Sequence, residues 1–285
     1  MSVNILGYEL PIATTTTLDL SNKSLTEMPE SIGSLFNLQE LHLDNNNLIS
    51  LPNSIGSLSN LRELYLYNNK ITSLSDSIGM LSNLQKLYLQ NNNLTNLPES
   101  IQSLSNLQIL IIRNNNLTSL SESIQSLSNL KELYLRDNNL TSLSESIGGL
   151  YNLQRLFVAN NKLTSLSESI QMLTKLQSLN LSNNNLTGIP ESIGSLSNLN
   201  DLYLSNNNLT YLPESIKILI ETKYFKLDES SYDINNLSMN CHTLVLTSIK
   251  NNITNLPPIL RTLYLKSNIN VDMIKLPYGC DIIRF

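Results

Sequence analysis

The chain has few of the residues that build disulfide frameworks, metal sites and catalytic centres: its 285 residues include no tryptophan, two cysteines and two histidines. Two cysteines are too few for the disulfide network of a small secreted domain. His42 belongs to a repeated pattern, and His242 follows Cys241 without a second pair of metal ligands at a useful spacing. Cys241, His242 and Cys280 could converge on a zinc ion, but ordinary packing is the favoured interpretation. The sequence therefore predicts neither an enzyme nor a protein with a cofactor.

Long apolar runs and a surplus of basic charge are also missing. No run approaches the roughly 18 apolar residues of a membrane span, and the first residues lack the pattern of a signal peptide. Eighteen lysines and arginines against 23 aspartates and glutamates give a net charge of −5, which argues against a nucleic-acid partner. We expect an intracellular protein, cytoplasmic and monomeric, that binds neither nucleic acid nor membrane.

One pattern favours the opposite compartment. Asn-x-Thr, the acceptor for N-linked glycans in a secreted chain, occurs at Asn93, Asn116, Asn139, Asn185, Asn208 and Asn252. The repeat that fills most of the chain places asparagine beside Leu-Thr in any compartment, so the intracellular interpretation stays favoured.

What the chain has in abundance is one pattern of 23 residues. The frame LxxLxLxxNxLxxL(P/S)xxIxxLxN occurs nine times, starting at residues 15, 38, 61, 84, 107, 130, 153, 176 and 199. In the second unit Leu41 and Leu43 alternate with polar residues, which predicts a short strand with one buried face. The spacing of Leu48, Leu51 and Ile55 then predicts a turn and a short helix-like segment. Stacked units predict a parallel sheet on one side and a row of short helices on the other, with right-handed crossovers.

An asparagine occupies one position in eight of the nine units: Asn46, Asn69, Asn92, Asn115, Asn138, Asn161, Asn184 and Asn207. A buried side-chain amide there can donate to and accept from the backbone of a neighbouring turn. Without such bonding the tight turn would leave buried peptide groups unpaired. The first unit has Lys23 at this position, which suits a terminal unit that is exposed on one side.

With these features the chain resembles the leucine-rich repeat family, and its L(P/S)xxIxxLxN half is similar to the 23-residue intracellular class of plant Ras-group proteins and Ras-pathway scaffolds. The resemblance covers residues 15 to 221. It implies an α/β right-handed solenoid, a horseshoe with a concave parallel sheet and short convex helices. It also implies binding of another protein on the concave face and carries no catalytic residue. The abundant Asn, Ser and Ile are typical of the AT-rich genome of a protist or a large DNA virus.

The frame changes after residue 221. Strand positions continue at Phe225/Leu227, Leu244/Leu246, Leu263/Leu265 and Ile282, in units that start 19 residues apart. A shorter unit has less room for a helix, so the segment that packs behind the sheet should be extended. The sequence thus predicts an N-terminal cap over residues 1–14, nine repeats over 15–221, and divergent repeats with a C-terminal cap over 222–285. A small separate C-terminal module is the alternative.

The residue between the two inward leucines of each strand should point out of the concave face. In successive units it is His42, Tyr65, Tyr88, Ile111, Tyr134, Phe157, Asn180 and Tyr203. Five of these eight are aromatic in a chain that is 6% aromatic. Adjacent strands lie about 4.8 Å apart, so a continuous stripe is predicted, and aromatic side chains are good anchors for a partner. The alternative is that tyrosine merely suits a pleated surface.

Basic residues accompany this stripe on the strands of units four to seven: Lys86, Arg113, Lys131, Arg136 and Arg155. Against Glu132 and Asp137 they leave a net charge of +3 on a chain of −5. The pattern predicts a protein partner with an acidic and partly apolar surface; the alternative is a set of solvated, locally paired side chains.

We therefore predict a non-enzymatic scaffold or adaptor for protein-protein interaction. The predicted contact residues are Tyr65, Tyr88, Ile111, Tyr134, Phe157, Tyr203 and the five basic residues. The alternatives are a regulator or substrate receptor in a signalling or ubiquitin pathway, and a secreted recognition protein.

Overall fold

The computed structural model of the chain describes residues 1–209, 213, 215–216, 243–246, 253–254, 256, 260–265 and 269–284. Its strands are β1 (Ser2–Ile5), β2 (Tyr8–Pro11), β3 (Thr17–Asp19), β4 (Glu40–His42), β5 (Glu63–Tyr65), β6 (Lys86–Tyr88), β7 (Ile109–Ile111), β8 (Glu132–Tyr134), β9 (Arg155–Phe157), β10 (Ser178–Asn180), β11 (Asp201–Tyr203), β12 (Thr243–Leu246), β13 (Thr262–Leu265) and β14 (Asp281–Arg284). Strands β3 to β11 form one nine-stranded parallel sheet in chain order. The predicted α/β solenoid is confirmed.

Neighbouring strands pair with a register of one repeat, so that Leu41 lies beside Leu64 and Leu87 beside Leu110. Each strand in this sheet is only three residues long because the chain turns shortly after it. The residue three positions after the strand has a positive φ in every unit: Asn22, Asn45, Asn68, Asn91, Asn114, Asp137, Asn160, Asn183 and Asn206, with φ between 55° and 59°. Asparagine and aspartate tolerate this left-handed conformation better than other side chains.

A three-residue 3-10 turn, Val271–Met273, precedes β14. The helix-like segments of the first eight units are 3-10 turns of five residues: Glu30–Ser34, Asn53–Ser57, Asp76–Met80, Glu99–Ser103, Glu122–Ser126, Glu145–Gly149, Glu168–Met172 and Glu191–Ser195. A proline or serine precedes each one in an extended conformation, for example Pro98 with φ −68° and ψ 153°. Ser75, Ser121 and Ser167 at this position each accept a hydrogen bond from the amide two residues on, whereas Ser144 does not. The frame therefore tolerates both residues because both suit this backbone, and serine can also cap the turn.

Seven apolar residues of each full unit fill the space between the sheet and the 3-10 turns. In the fifth unit they are Leu107, Leu110, Ile112, Leu117, Leu120, Ile124 and Leu127, all at most 7% exposed. Because these side chains are apolar, they need no hydrogen-bond partners and cannot bind a metal ion. Its stability comes from stacking one unit on the next, since one unit alone would leave both of its sides in water.

The repeated asparagines bond the turns of adjacent units together, as predicted. The side chain of Asn115 is buried, and its amide nitrogen donates to the carbonyls of Leu89 (2.9 Å) and Ile112 (3.1 Å). Its carbonyl oxygen accepts from the amide of Leu94 at 2.9 Å. Because the partners belong to the same unit and to the preceding one, each asparagine sets the spacing between two turns.

Separate small sheets stand near the two ends of the chain. The antiparallel pair β1 and β2 carries Ile5, which is fully buried and belongs to the core. Strands β12, β13 and β14 are parallel, with Leu244 beside Leu263 and Leu263 beside Ile282, a step of 19 residues. The strand predicted at Phe225 and Leu227 lies outside the described residues, so the proposed division into cap, repeats and divergent repeats stays a prediction.

Candidate functional site

The outer face of the nine-stranded sheet is the surface opposite the 3-10 turns, and the predicted stripe lies on it. All eight residues of the stripe, from His42 to Tyr203, are half-buried. The inward neighbours on the same strands, such as Leu110 and Leu133, are fully buried. The two-residue alternation of the strand therefore places each stripe residue where a partner can reach it.

The eight residues of the stripe lie in register on neighbouring strands, but their stacked rings form two blocks. His42 stacks on Tyr65 with ring centroids 4.2 Å apart, and Tyr65 on Tyr88 at 4.7 Å. Tyr134 stacks on Phe157 at 5.0 Å. Ile111 lies between the two blocks, and Asn180 separates the second block from Tyr203. An aliphatic or amide side chain cannot continue a ring stack, so the breaks follow from these two substitutions.

Hydrogen bonds along the strand hold two of the tyrosines in place. The hydroxyl of Tyr134 donates to Glu132 Oε2 at 2.9 Å, and the hydroxyl of Tyr65 donates to Glu63 in the same way. Burial, together with the bond to Glu132, raises the pKa of Tyr134 to about 12. These phenols are therefore neutral donors at physiological pH, and their rings are ordered before any partner arrives.

Three of the five predicted basic residues are ion-paired with carboxylates of the same face. Lys86 Nζ lies 2.8 Å from Glu63 Oε1, Arg155 Nη1 2.7 Å from Glu132 Oε1, and Arg136 Nε 3.0 Å from Asp137 Oδ2. The net charge of +3 predicted for units four to seven omits Glu63, because that residue belongs to the third unit. The pairing leaves less free positive charge than the sequence pattern indicates.

Uncompensated positive charge remains at Arg113 and Lys131. Arg113 makes no ion pair with any part of the chain that the structure describes, and it is exposed. The amine of Lys131 donates at 3.0 Å to Gln108, whose amide carries no charge. Contrary to the prediction, Arg113, Lys131 and Arg136 do not lie on strands: Lys131 directly precedes β8, and the two arginines follow β7 and β8.

The ion pair of Glu63 makes a testable contribution to stability. Burial acts to raise the pKa of Glu63, but hydrogen bonds from Lys86 and Tyr65 outweigh it and hold that pKa below its usual value. A depressed pKa in the folded state means that the carboxylate stabilises the fold above its unfolded pKa of about 4.3 and loses this effect as the pH falls through the folded value.

Glu63→Gln is therefore expected to lower the free energy of unfolding at neutral pH by less than about 1 kcal/mol, since the side chain is 20% exposed and partly screened. The difference from the wild type should shrink between neutral pH and about pH 3, because the Glu63 carboxylate takes up a proton as the pH falls through its depressed folded pKa. Urea unfolding at the two pH values measures this. Glu122→Gln, on an exposed 3-10 turn, is the control; a Glu63→Gln deficit that persists undiminished in acid would contradict the assignment.

Sequence reasoning missed three residues of this face. Ile109 precedes Ile111 by two positions and adds a second half-buried apolar side chain to the break between the ring blocks. Tyr67 and Asp44 follow the stripe by two positions, and Asp44 is only 4% exposed although it is charged. All three stand two residues from a stripe position, so the same alternation rule applied to the neighbouring columns would have found them.

The part of the chain that the structure describes contains neither a cluster of metal ligands nor a membrane-spanning helix. No group of three His, Cys, Asp or Glu side chains there could hold a metal ion. No helix in that part is long and apolar enough to cross a membrane. Cys241 and His242 of the zinc alternative lie outside the described residues.

Comparison with known families gives two matches. Residues 53–159 match the model of a leucine-rich repeat region, and residues 13–71, 151–209 and 174–228 match the model of a leucine-rich repeat. A search of curated proteins gives no match.

Solved structures are similar over nearly the whole chain. A leucine-rich repeat protein of Leptospira interrogans is 32% identical with a TM-score of 0.63, and the match covers 93% of this chain and 83% of that one. The ectodomain of the Arabidopsis thaliana receptor kinase GASSHO1/SCHENGEN3, in complex with Casparian strip integrity factor 2, is 26% identical with a TM-score of 0.66, covering 96% of this chain and 32% of that one. The plant peptide hormone receptor RGFR1, in complex with RGF2, is 26% identical with a TM-score of 0.64, covering 94% of this chain and 50% of that one. The chain thus spans about a third and a half of the two plant receptor chains.

Proposed function

We propose that this chain, which belongs to the leucine-rich repeat family, is a non-enzymatic scaffold or adaptor that holds a partner protein on the outer face of its nine-stranded sheet. The observation that carries the proposal is the pair of stacked ring blocks with Ile109 and Ile111 between them. This surface is half-exposed and apolar at its centre, and its flanks are polar.

Side chains that are already ordered in the free protein favour binding at this face. Side chains that must be immobilised on association cost roughly 0.5 to 1.5 kcal/mol each. The rings of Tyr65, Tyr88 and Tyr134 are already held by stacking or by hydrogen bonds. Aromatic residues that are ordered in this way can bury a large area against a partner at little entropic cost.

The solved relatives favour a peptide or a protein segment as the ligand. One similar structure is the ectodomain of a plant membrane receptor kinase in complex with Casparian strip integrity factor 2, and another is a plant peptide hormone receptor in complex with RGF2. This chain matches only part of each receptor. The ligands of the receptors therefore indicate the kind of molecule that this fold binds and do not identify the partner of this chain.

The experiment is affinity capture from a cell lysate with immobilised wild type and with the triple variant Tyr88→Ala, Arg113→Ala and Tyr134→Ala. A specific partner should be lost from the triple variant, with at least a tenfold fall in its recovery, because the variant removes a ring from each stacked block and one uncompensated charge. The control triple variant is Glu122→Ala, Glu145→Ala and Glu168→Ala, on exposed 3-10 turns. Equal capture by all three proteins would contradict binding at this face.

A secreted recognition protein is the second candidate. Two observations favour it: one relative is the ectodomain of a membrane receptor, and the acceptor asparagines Asn93 and Asn116 are exposed. Expression through a secretory pathway, followed by enzymatic release of N-glycans, would show a mass shift that Asn116→Gln reduces. The intracellular setting and the Ras-group class of repeat stay predictions.

A further inference from the structure

The outer face of the sheet carries opposite net charge in its first three units and in the four units that follow them. Counting the residues at and beside each strand, units one to three hold Arg62 against Asp19, Glu40, Asp44 and Glu63, a net charge of −3. The same positions of units four to seven hold five cations against two carboxylates, a net charge of +3. The net charge of the whole chain does not reveal this separation of charge, which runs from unit to unit along the sheet.

In units one to three, two carboxylates are available to a ligand. Asp19 is exposed and the side chain of Glu40 is 46% exposed. Hydrogen bonds from Ser21 hold the pKa of Asp19 below its usual value, so it is charged at neutral pH. Asp44 is instead committed within the fold, since Asn45 donates to it at 2.8 Å. The ring nitrogen of His42 lies 3.9 Å from Glu40, too far for a hydrogen bond.

The ring stack beside these carboxylates cannot take a cation between its members. His42, Tyr65 and Tyr88 are 4.2 and 4.7 Å apart with nearly parallel planes, so a guanidinium does not fit between two rings. The carboxylates of Asp19 and Glu40 therefore bind the positive charge of a ligand, and the ring edges make apolar contact with it. In units five and six the corresponding groups are Arg113 and Lys131, which have no counter-charge among the described residues.

The spacing of these groups sets the length of the ligand. Glu40 stands in the second unit and Lys131 in the sixth, and Asp19 stands in the first unit and Arg113 in the fifth. Each pairing spans four steps between adjacent strands, about 19 Å at about 4.8 Å a step. An extended chain covers that distance in about six residues. An α-helix, which rises about 1.5 Å a residue, needs about thirteen.

We infer that the face binds an extended segment of a partner protein with charges of opposite sign about six residues apart, the basic one on Asp19 and Glu40 and the acidic one on Arg113 and Lys131. Apolar side chains between the two charges lie on Tyr88, Ile109 and Ile111. The inference rests on the proposed function, and it adds the direction in which the segment lies. The strands are three residues long, about 10 Å, so an extended chain along the stripe stays within the width of the face.

The test is selection from a displayed library of random 16-residue peptides against the wild-type protein. The selected peptides should carry a lysine or arginine and an aspartate or glutamate about six residues apart with apolar residues between them. Charges about thirteen residues apart would mean a helical ligand and would overturn the extended geometry. Peptides without a recurring pair of opposite charges would overturn the inference as a whole.

A charge reversal locates the two ends of the peptide. The variant Arg113→Glu with Lys131→Glu should bind the best selected peptide at least tenfold more weakly, measured by fluorescence anisotropy. Replacing the acidic residue of that peptide with lysine should restore most of the affinity for this variant and weaken binding to the wild type. The control variant Lys70→Glu with Lys162→Glu makes the same change of charge at exposed positions beyond the strands, and it should bind like the wild type. Circular dichroism confirms that both variants are folded.

The outcomes separate the two proposals. If Tyr88→Ala with Tyr134→Ala abolishes peptide binding but the charge reversal does not change it, the face binds peptides and the polarity is wrong. If neither change alters binding, or if no peptide is selected, the proposed function fails at this face together with the inference.

Discussion

Replacing Asn115 with alanine is expected to lower the free energy of unfolding by about 2 to 4 kcal/mol. The substitution removes the donor to the carbonyls of Leu89 and Ile112 and the acceptor for the amide of Leu94. These groups lie where water cannot replace the lost partner, because the asparagine side chain is 7% exposed. A buried backbone group left without a partner costs about 1 to 3 kcal/mol, and more than one is orphaned here.

The adjacent residue provides a matched control. Asn116 is exposed, so Asn116→Ala should change the free energy of unfolding by less than about 0.5 kcal/mol. Urea unfolding followed by circular dichroism compares the two variants with the wild type. Because units interact mainly with their neighbours, loss of the central asparagine should also broaden the transition as the two halves of the stack uncouple. Equal midpoints for the two variants would show that the asparagine position does not hold the turns together.

Replacing Leu110 alone with alanine is expected to lower the free energy of unfolding by about 2 to 5 kcal/mol. The side chain is fully buried on β7, the middle strand of the nine, with Leu87 and Leu133 beside it in register. Its truncation leaves a cavity between the sheet and the 3-10 turns. The repeated backbone bonds on both sides hold the units at fixed spacing, so the cavity cannot close readily.

The next residue on the same strand separates stability from binding. Ile111 is half-buried on the outer face, so Ile111→Ala should destabilise the fold by less than about 1 kcal/mol. It should nevertheless weaken binding of the selected peptide, whereas Leu110→Ala should leave the affinity of the folded protein nearly unchanged. Calorimetry for stability and anisotropy for binding give the two measurements. If Leu110→Ala affected binding more than stability, the assignment of inward and outward faces would be wrong.

The repeating positions of the fold could be predicted from the sequence because each has one physical reason that every unit shares. The period of 23 residues indicated the parallel register of Leu41, Leu64 and Leu87, and the amide of Asn46 was expected to bond neighbouring turns. Both expectations are confirmed. The kind of helix in the segments behind the sheet was less well specified. The spacing of Leu51 and Ile55 does not distinguish a 3-10 turn from a short α-helix.

The candidate site was predicted in its position but not in its contacts. The residues of the stripe lie on the outer face, as the alternation of the strand requires. Whether two rings stack, however, depends on both neighbours, so Ile111 and Asn180 interrupt the stacked rings along the stripe. The pairing of Lys86 with Glu63 joins two units and is decided by the rotamers of long side chains, which no single position reveals.

The sequence by itself determined the architecture of this protein: the number of strands in the main sheet, their parallel order, their register and the face that each residue takes. It could do so because these properties repeat, and one local pattern enforced nine times leaves no competing arrangement. Only the tertiary structure decided which charges on the outer face are cancelled and which remain free, and where the stacked rings end. Those outcomes depend on contacts between residues 23 positions apart, and the energy of such a contact belongs to the pair and not to either residue alone.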